Sequence, residues 1–174
     1  MTATDIDTRI RDLQLRADFD GDALQFEADI AGTETQLWDA VTQPEVLARW
    51  SPIVPDRPLT SIGPALSRET PEAEPVAADV LALAGQHALT HRWDEDTVEW
   101  MVEDGRLVCR MLLAQPDYAP YYAAGWQVCL AVLDAQLSGE EQERIVGMDA
   151  MAHGWDELRK QYTEELGCPD IPVQ

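Results

Sequence analysis

The order of apolar and polar residues along the chain predicts strands in two regions. In residues 13–17 and 23–30 apolar and polar positions alternate, and the Asp-Gly-Asp sequence between them has turn chemistry, so we expect a hairpin or one bent strand. Later apolar runs are separated by short acidic or glycine-containing turns, which predicts an antiparallel meander. Its strands are expected at residues 76–84, 87–93, 97–102 and 106–114.

Apolar residues at three- and four-residue spacing predict helices. Thr33 and Gln36 fit a capping box that starts a first short helix, and Pro44 ends this helix and opens a second one. Over residues 119–137 one apolar stripe predicts a long helix that ends before Gly139. Two further helices are expected at residues 140–152 and 155–166.

The middle of the chain, residues 51–75, contains six of the 11 prolines and shows neither a helical nor a strand period. Short strands at residues 59–62 and 65–69 are expected there, within a mostly irregular segment. The alternative interpretation is a linker between two domains, because proline-rich stretches without periodicity are typical of linkers.

A resemblance to a known family extends this pattern. Residues 37–50, LWDAVTQPEVLARW, resemble the opening signature of the activator of heat-shock-protein-90 ATPase homology family in its bacterial form, within the SRPBCC or START-like superfamily. Residues 122–126 and 154–158 are similar to later parts of such proteins, and the middle third matches only loosely. The resemblance implies an α+β helix-grip fold, in which a curved antiparallel sheet wraps around the long late helix.

The helical stripe and the strand faces lead to the same architecture. A 19-residue apolar stripe must cover an apolar surface of similar length, and the predicted sheet is the only candidate of that size. The two short helices would close one end of the sheet, with further helices at the carboxyl terminus. We therefore expect a helix-grip domain at residues 1–139 and an appended helical tail at residues 140–174, packed on the same domain or across a dimer interface.

A helix-grip fold tends to leave a cavity between helix and sheet, and large inward side chains are the candidates to line it. Tryptophans are prominent among them, and an indole offers a flat apolar wall with one N–H group. The predicted ligand-contacting residues are Trp38, Trp50, Leu89, His91, Trp93, Trp100, Met111, Trp126, Cys129 and Leu130. Each tryptophan taken alone is equally explained as a packed core residue.

His91 is the polar residue that stands out, because it lies between Leu89 and Trp93 on an otherwise apolar strand face. An inward histidine needs a hydrogen-bond partner, which a backbone group, a water or a ligand oxygen could provide. The interpretation as a satisfied structural histidine competes with a ligand contact. No catalytic residue, cofactor loop or metal-ligand spacing is identified in the sequence.

Composition narrows the range of partners. The chain has 12 basic and 33 acidic residues, a net charge of −21, which disfavours nucleic acid and anionic membrane surfaces. The amino terminus has no apolar signal core, and the longest charge-free run is too short to span a bilayer. The three cysteines, odd in number and widely spaced, are expected to be reduced thiols. The missing signal core, the missing membrane span and the reduced thiols together favour a cytoplasmic protein.

Three functions follow from these observations. The first is binding of a small hydrophobic or aromatic molecule in the cavity, without covalent chemistry and without a cofactor. The second is a polyketide cyclase or dehydratase activity, which the superfamily includes and in which His91 beside a carboxylate would act as general acid and base. The third is a cochaperone role, which the family name implies. A homodimer is an open alternative for the tail.

Overall fold

The computed structural model describes residues 5–173 and is built on a six-stranded antiparallel sheet. In space the sheet strands follow the order β1, β2, β8, β7, β6, β5, and β3 pairs with β4 separately. The ranges in chain order are β1 Leu15–Phe19, β2 Ala23–Asp29, β3 Leu66–Ser67, β4 Val76–Ala77, β5 Val80–Ala84, β6 Ala88–Trp93, β7 Asp96–Glu103 and β8 Arg106–Leu112. The predicted hairpin and meander are both confirmed.

Five helices accompany the sheet in the described part of the chain. Their ranges are α1 Ile6–Asp12, α2 Glu34–Thr42, α3 Pro44–Leu47, α4 Ala119–Leu137 and α5 Trp155–Leu166, with short 3-10 turns at Pro116–Tyr118 and Gly147–His153. The 19-residue α4 lies against the sheet, where Trp126 contacts Phe26 of β2 and Trp100 of β7. This is the α+β helix-grip fold that the sequence predicts.

The paired short helices are held together by a cap and a tryptophan. The capping box at the start of α2 is present: Gln36 N donates to the Thr33 hydroxyl, and Thr33 N donates to the Gln36 side chain at 3.0 Å. After α3 the fully buried Trp50 turns back, and its Nε1 donates a hydrogen bond to the carbonyl of Ala40 in α2 at 3.0 Å. The helix pair with its break at Pro44 therefore buries two tryptophans, Trp38 and Trp50, and Trp50 packs against Trp100 in the centre of the fold rather than at its end.

Three predicted elements differ from the structure. Residues 59–62 form no strand, because the guanidinium of Arg57 donates to the carbonyls of Gly63 and Pro64, both at 2.9 Å, and holds a loop instead. The prediction at residues 65–69 shrinks to the two-residue β3. The single strand expected at residues 76–84 is divided into β4 and β5, and Ala78 between them donates its N–H to the carbonyl of Ala65.

The helix predicted at residues 140–152 is wrong. Residues 140–146 are irregular and a 3-10 turn follows at Gly147–His153. Hydrogen bonds from other elements hold this segment open: Gln136 donates to the carbonyl of Gln142 at 2.8 Å, and Arg144 donates to the carbonyl of Ser51 at 2.6 Å. These tertiary bonds outweigh the helical preference of an acidic, alanine-containing stretch.

The tail packs along the outer side of α4, and α1, which the pattern did not predict, packs there too. Buried Gln127 joins the three helices, because its Nε2 donates to the carbonyl of Ile10 at 2.7 Å and its Oε1 accepts from the hydroxyl of Tyr162. This cover explains why α4 is buried on nearly all sides. The division at residue 139 stays a prediction, and residues 1–4 and 174, on which parts of the predicted domain and tail fall, lie outside the described residues.

Candidate ligand-binding cavity

A cavity of about 650 Å³ lies at one end of the grip, where the first half of α4 meets the ends of strands β6, β7 and β8. Its walls come from the turn between β6 and β7, the residues after β8, the first three turns of α4, and Trp155 at the start of α5. Parts of the segments 67–76 and 145–150 complete the rim. A volume of this size is in the usual range of small-molecule sites, roughly 300–1,000 Å³.

Two rows of aromatic rings line this space. In the inner row the ring centroid of Trp93 is 5.7 Å from that of Trp126 and 6.0 Å from that of Tyr122. In the outer row Tyr121 lies between Tyr118 and Trp155, with centroids 5.0 Å apart in each pair. Between the rows Gly125 of α4 has no side chain, and a Cβ added there would meet only the indole nitrogen of Trp155, at 3.8 Å.

The centre of the grip is packed rather than hollow. Trp100 lies edge-on to Trp126, Trp50 and Phe26, with ring centroids 5.3, 6.3 and 6.4 Å away. The Nε1 of Trp126 donates to the sulfur of Met111 at 3.1 Å. These side chains are 2% exposed or less, so the cavity is confined to the end of the fold.

The structure brings three of the ten predicted residues to the cavity: Trp93, Trp126 and Cys129. The other seven are buried away from its lining and are Trp38, Trp50, Leu89, His91, Trp100, Met111 and Leu130. Sequence reasoning missed Tyr118, Tyr121, Tyr122 and Trp155. A signal for most of them existed, because positions 118, 121, 122, 125, 126 and 129 follow the i, i+3, i+4 spacing of one helix face.

His91 is fully buried and both of its ring nitrogens are occupied by protein groups. Nε2 accepts a hydrogen bond from Nε1 of Trp100 at 3.2 Å, so Nδ1 carries the proton and donates to the carbonyl of Arg92 at 2.9 Å. Burial lowers the pKa of His91 to about 4, because the charged imidazolium would lose its hydration. His91 is therefore a neutral, satisfied side chain, and no carboxylate is its hydrogen-bond partner.

We expect His91 to make the protein less stable as the pH falls from 6.5 toward 4. The unfolded histidine takes up a proton near pH 6.5, whereas the folded one does so only near its pKa of about 4, so protonation favours the unfolded state in that window. The free energy of unfolding should decrease by about 2 kcal/mol between pH 7 and pH 5 from this group alone. Urea titrations of the wild type and of His91→Gln, which can still accept from Trp100 but does not titrate, would measure it. Equal pH dependence in both proteins would contradict this assignment.

The two buried thiols, Cys109 and Cys129, are poor nucleophiles in this fold. Burial raises the pKa of Cys129 to about 12 and raises that of Cys109 as well, so both are protonated at neutral pH. The sulfur of Cys129 lies 3.5 Å from the carbonyl of Ile145, to which its S–H donates. Cys129 contributes an apolar wall to the cavity.

Carboxylates surround the cavity mouth. Asp96, at 7% exposure, is the buried one; it accepts a hydrogen bond from the N–H of Ala114 at 2.8 Å. Burial, the negative charge of Asp96 and its hydrogen bond with the Tyr122 hydroxyl together raise the pKa of Tyr122. The remaining acidic lining residues are exposed and are Glu69, Glu74, Asp94 and Glu95. Lysine, arginine and histidine are absent from the described lining.

Metal-binding clusters and membrane-spanning helices are both absent from residues 5–173. No group of three or more histidine, cysteine, aspartate or glutamate side chains in that range is placed to hold a metal ion. None of the helices there combines the length and the apolar character needed to cross a membrane.

The wrapped sheet, the long central helix and the paired short helices define the class: the chain has a START-like, helix-grip fold with a cavity at one end. Solved structures share that fold. CalU16 from Micromonospora echinospora matches with a TM-score of 0.67 at 15% identity, over 87% of this chain and 93% of that chain. A conserved protein of unknown function from Enterococcus faecalis gives 0.64 at 15% identity, over 92% and 93%.

An AHSA1 protein from Silicibacter pomeroyi matches with a TM-score of 0.53 at 19% identity, over 68% of this chain and 99% of that chain. No family model matches the sequence, and no curated protein does. At these identities the likeness establishes the fold alone.

Proposed function

We propose that this protein binds a small apolar or aromatic molecule in the end cavity, without covalent chemistry. The observation that carries the proposal is the space of about 650 Å³ lined by two rows of aromatic rings. Protein interiors are normally close-packed, so a volume of this size walled by indole and phenol rings is suited to binding a small molecule.

Gly125 supports a binding role for the space. A glycine inside a helix destabilises it by roughly 1 kcal/mol relative to alanine. Here the missing side chain leaves room between Trp126 and Trp155 instead of allowing a close backbone contact, since an added Cβ would meet nothing nearer than 3.8 Å. No close packing contact therefore requires a glycine at position 125. Its effect on the structure is to keep the cavity open, at a local loss of helix stability.

Binding is favoured over the other two functions by the placement of the side chains. The cyclase hypothesis depended on His91 beside a carboxylate, and His91 instead bonds Trp100 and the Arg92 carbonyl outside the cavity lining. The cochaperone hypothesis depended on the resemblance of residues 37–50 to the opening signature of the activator family. The tryptophans of this stretch are buried in α2 and after α3, so packing alone accounts for them without a chaperone partner.

A cavity-filling substitution tests the proposal. Gly125→Leu should reduce the affinity for the neutral fluorescent probe N-phenyl-1-naphthylamine by about tenfold or more, because the added side chain occupies the site. Gly125→Ala is the matched control: it should retain binding and raise the free energy of unfolding by about 1 kcal/mol, since its Cβ makes only an ordinary contact. Fluorescence titration and urea unfolding measure the two effects.

Nuclear magnetic resonance of the tryptophan indole N–H groups locates the probe. We expect the signals of Trp93, Trp126 and Trp155 to shift on titration, while those of Trp38 and Trp50 stay in place. If the probe does not bind the wild type, or binds Gly125→Leu as tightly as Gly125→Ala, the end cavity is not a ligand site.

A further inference from the structure

The charges at the cavity mouth are unlike those on the outer face of the sheet. On that face carboxylates are paired with arginines, as in Arg16 with Glu27 at 2.7 Å and Arg106 with Glu103 at 2.7 Å. Among the described ion pairs none involves the mouth residues Glu74, Asp94 or Glu95. These three carboxylates thus form a negative rim that none of the described ion pairs neutralises.

Nearby arginines are directed elsewhere. Arg144 lies close enough to interact with Cys129 and Glu69, yet its guanidinium donates to the carbonyl of Ser51. Arg68 points to backbone carbonyls of the 71–73 turn, and Arg159 lies over the outer row, 5.7 Å from the ring centroid of Tyr121. None of the three is part of the lining.

The inner aromatic row meets this rim at the turn between β6 and β7. Trp93 lines the cavity and is followed directly by Asp94 and Glu95, while Tyr122 faces Asp96 across the same corner. Indole and phenol faces attract cations through their ring quadrupoles, and aromatic cages are a known way to hold ammonium groups. The aromatic rings and the unpaired carboxylates at this corner therefore both favour a positively charged group on the ligand.

We propose that the ligand is a cation with an apolar or aromatic body, such as a hydrophobic amine. The body lies on Trp126 and Cys129, and the ammonium group lies at the mouth between Trp93 and the carboxylates of Asp94 and Glu95. Anionic ligands such as fatty acids are disfavoured, because the cavity lining contains five acidic residues and no basic one. This inference rests on the proposed binding function and specifies its ligand class.

Matched ligand series test the charge preference. The probes are 2-naphthylmethylammonium, 2-naphthylmethanol and 2-naphthoate, with a second series on a biphenyl body, measured by isothermal titration calorimetry. The ammonium compounds should bind about tenfold more tightly than the alcohols, and the carboxylates most weakly. Raising the salt from about 0.05 to 0.3 M should reduce the preference only in part, because the site is partly enclosed.

Variants that neutralise acidic residues distinguish the effect of the carboxylates at the site from the effect of the overall charge of −21. Asp94→Asn with Glu95→Gln should remove most of the ammonium preference, measured as the ratio of the ammonium affinity to the alcohol affinity. Asparagine suits position 94, where φ is +57°. The control is Glu164→Gln with Glu165→Gln, an equal charge change on the exposed side of α5, which should leave the preference intact.

The outcomes distinguish this inference from the function on which it rests. If no compound of either series binds, both the binding function and the charge preference are overturned. If the compounds bind in a manner that Gly125→Leu abolishes but without preference for ammonium, only the cationic ligand is overturned. The control variant at Glu164 and Glu165 could also reduce the ammonium preference as much as the variant at Asp94 and Glu95 does. The preference would then come from the overall charge, and the inference would be overturned.

Discussion

Replacing Trp100 with alanine is expected to lower the free energy of unfolding by about 4 kcal/mol. The side chain is 2% exposed and lies at the centre of the aromatic cluster with Phe26, Trp50 and Trp126. Its removal leaves a void among rigid rings and takes the indole donor from His91. A loss of this size is a large part of the stability of a typical domain, about 5–15 kcal/mol.

Guanidinium titration followed by circular dichroism measures this effect, and Trp93→Ala is the matched control. Trp93 is only partly buried and borders the cavity, so its truncation should cost about half as much or less. Trp100→Phe should be intermediate and keeps the comparison measurable if the alanine variant is too unstable. Similar losses at positions 93 and 100 would show that the packed centre and the open end do not differ as described.

Gln127→Leu is expected to cost about 3 kcal/mol, the second large effect. The amide lies at the junction of α1, α4 and α5, where it donates to the carbonyl of Ile10 and accepts from the hydroxyl of Tyr162. Leucine has a similar volume but leaves both of these partners buried without a hydrogen bond. Each unsatisfied group costs roughly 1–3 kcal/mol.

A double-mutant cycle with Tyr162→Phe gives the sharper test. The single Tyr162→Phe variant should lose about 1–2 kcal/mol, and the double variant should lose less than the sum, because the hydroxyl that Gln127→Leu strands is then absent. Gln25→Leu, at an exposed position on β2, is the control and should change stability by about 0.5 kcal/mol or less. Strict additivity in the cycle would mean that the bond between the two side chains contributes nothing.

Local patterns predicted most of the fold. The capping box at Thr33 and the break at Pro44 depend on neighbours within four residues, and α4 and most of the meander follow from their periods. Strand parity also placed Leu89, His91 and Met111 on the buried face, where the structure has them. The expectations for residues 140–152 and 59–62 were wrong because side-chain hydrogen bonds determine the conformation of both segments. Arg144 donates to the distant carbonyl of Ser51, and Arg57 donates to the carbonyl of Gly63 within its own loop.

The candidate site was only partly predictable. Trp93, Trp126 and Cys129 were identified from their inward positions, and the spacing of Tyr118 to Cys129 on one helix face could have added the tyrosines. The sequence pattern could not show that these residues line a cavity while Trp100 and His91 lie in the packed centre. Parity tells which face a side chain occupies, and it does not tell whether the space in front of it is filled.

By itself, the sequence determined the strands, the long helix, the paired short helices and the excess of negative charge, because each depends on residue type and short-range spacing. The tertiary structure alone decided where empty space remains. A cavity is what is left after distant side chains have packed: the meeting of Trp50, Trp100 and Phe26 fills the centre, and Gly125 beside Trp155 leaves the end open.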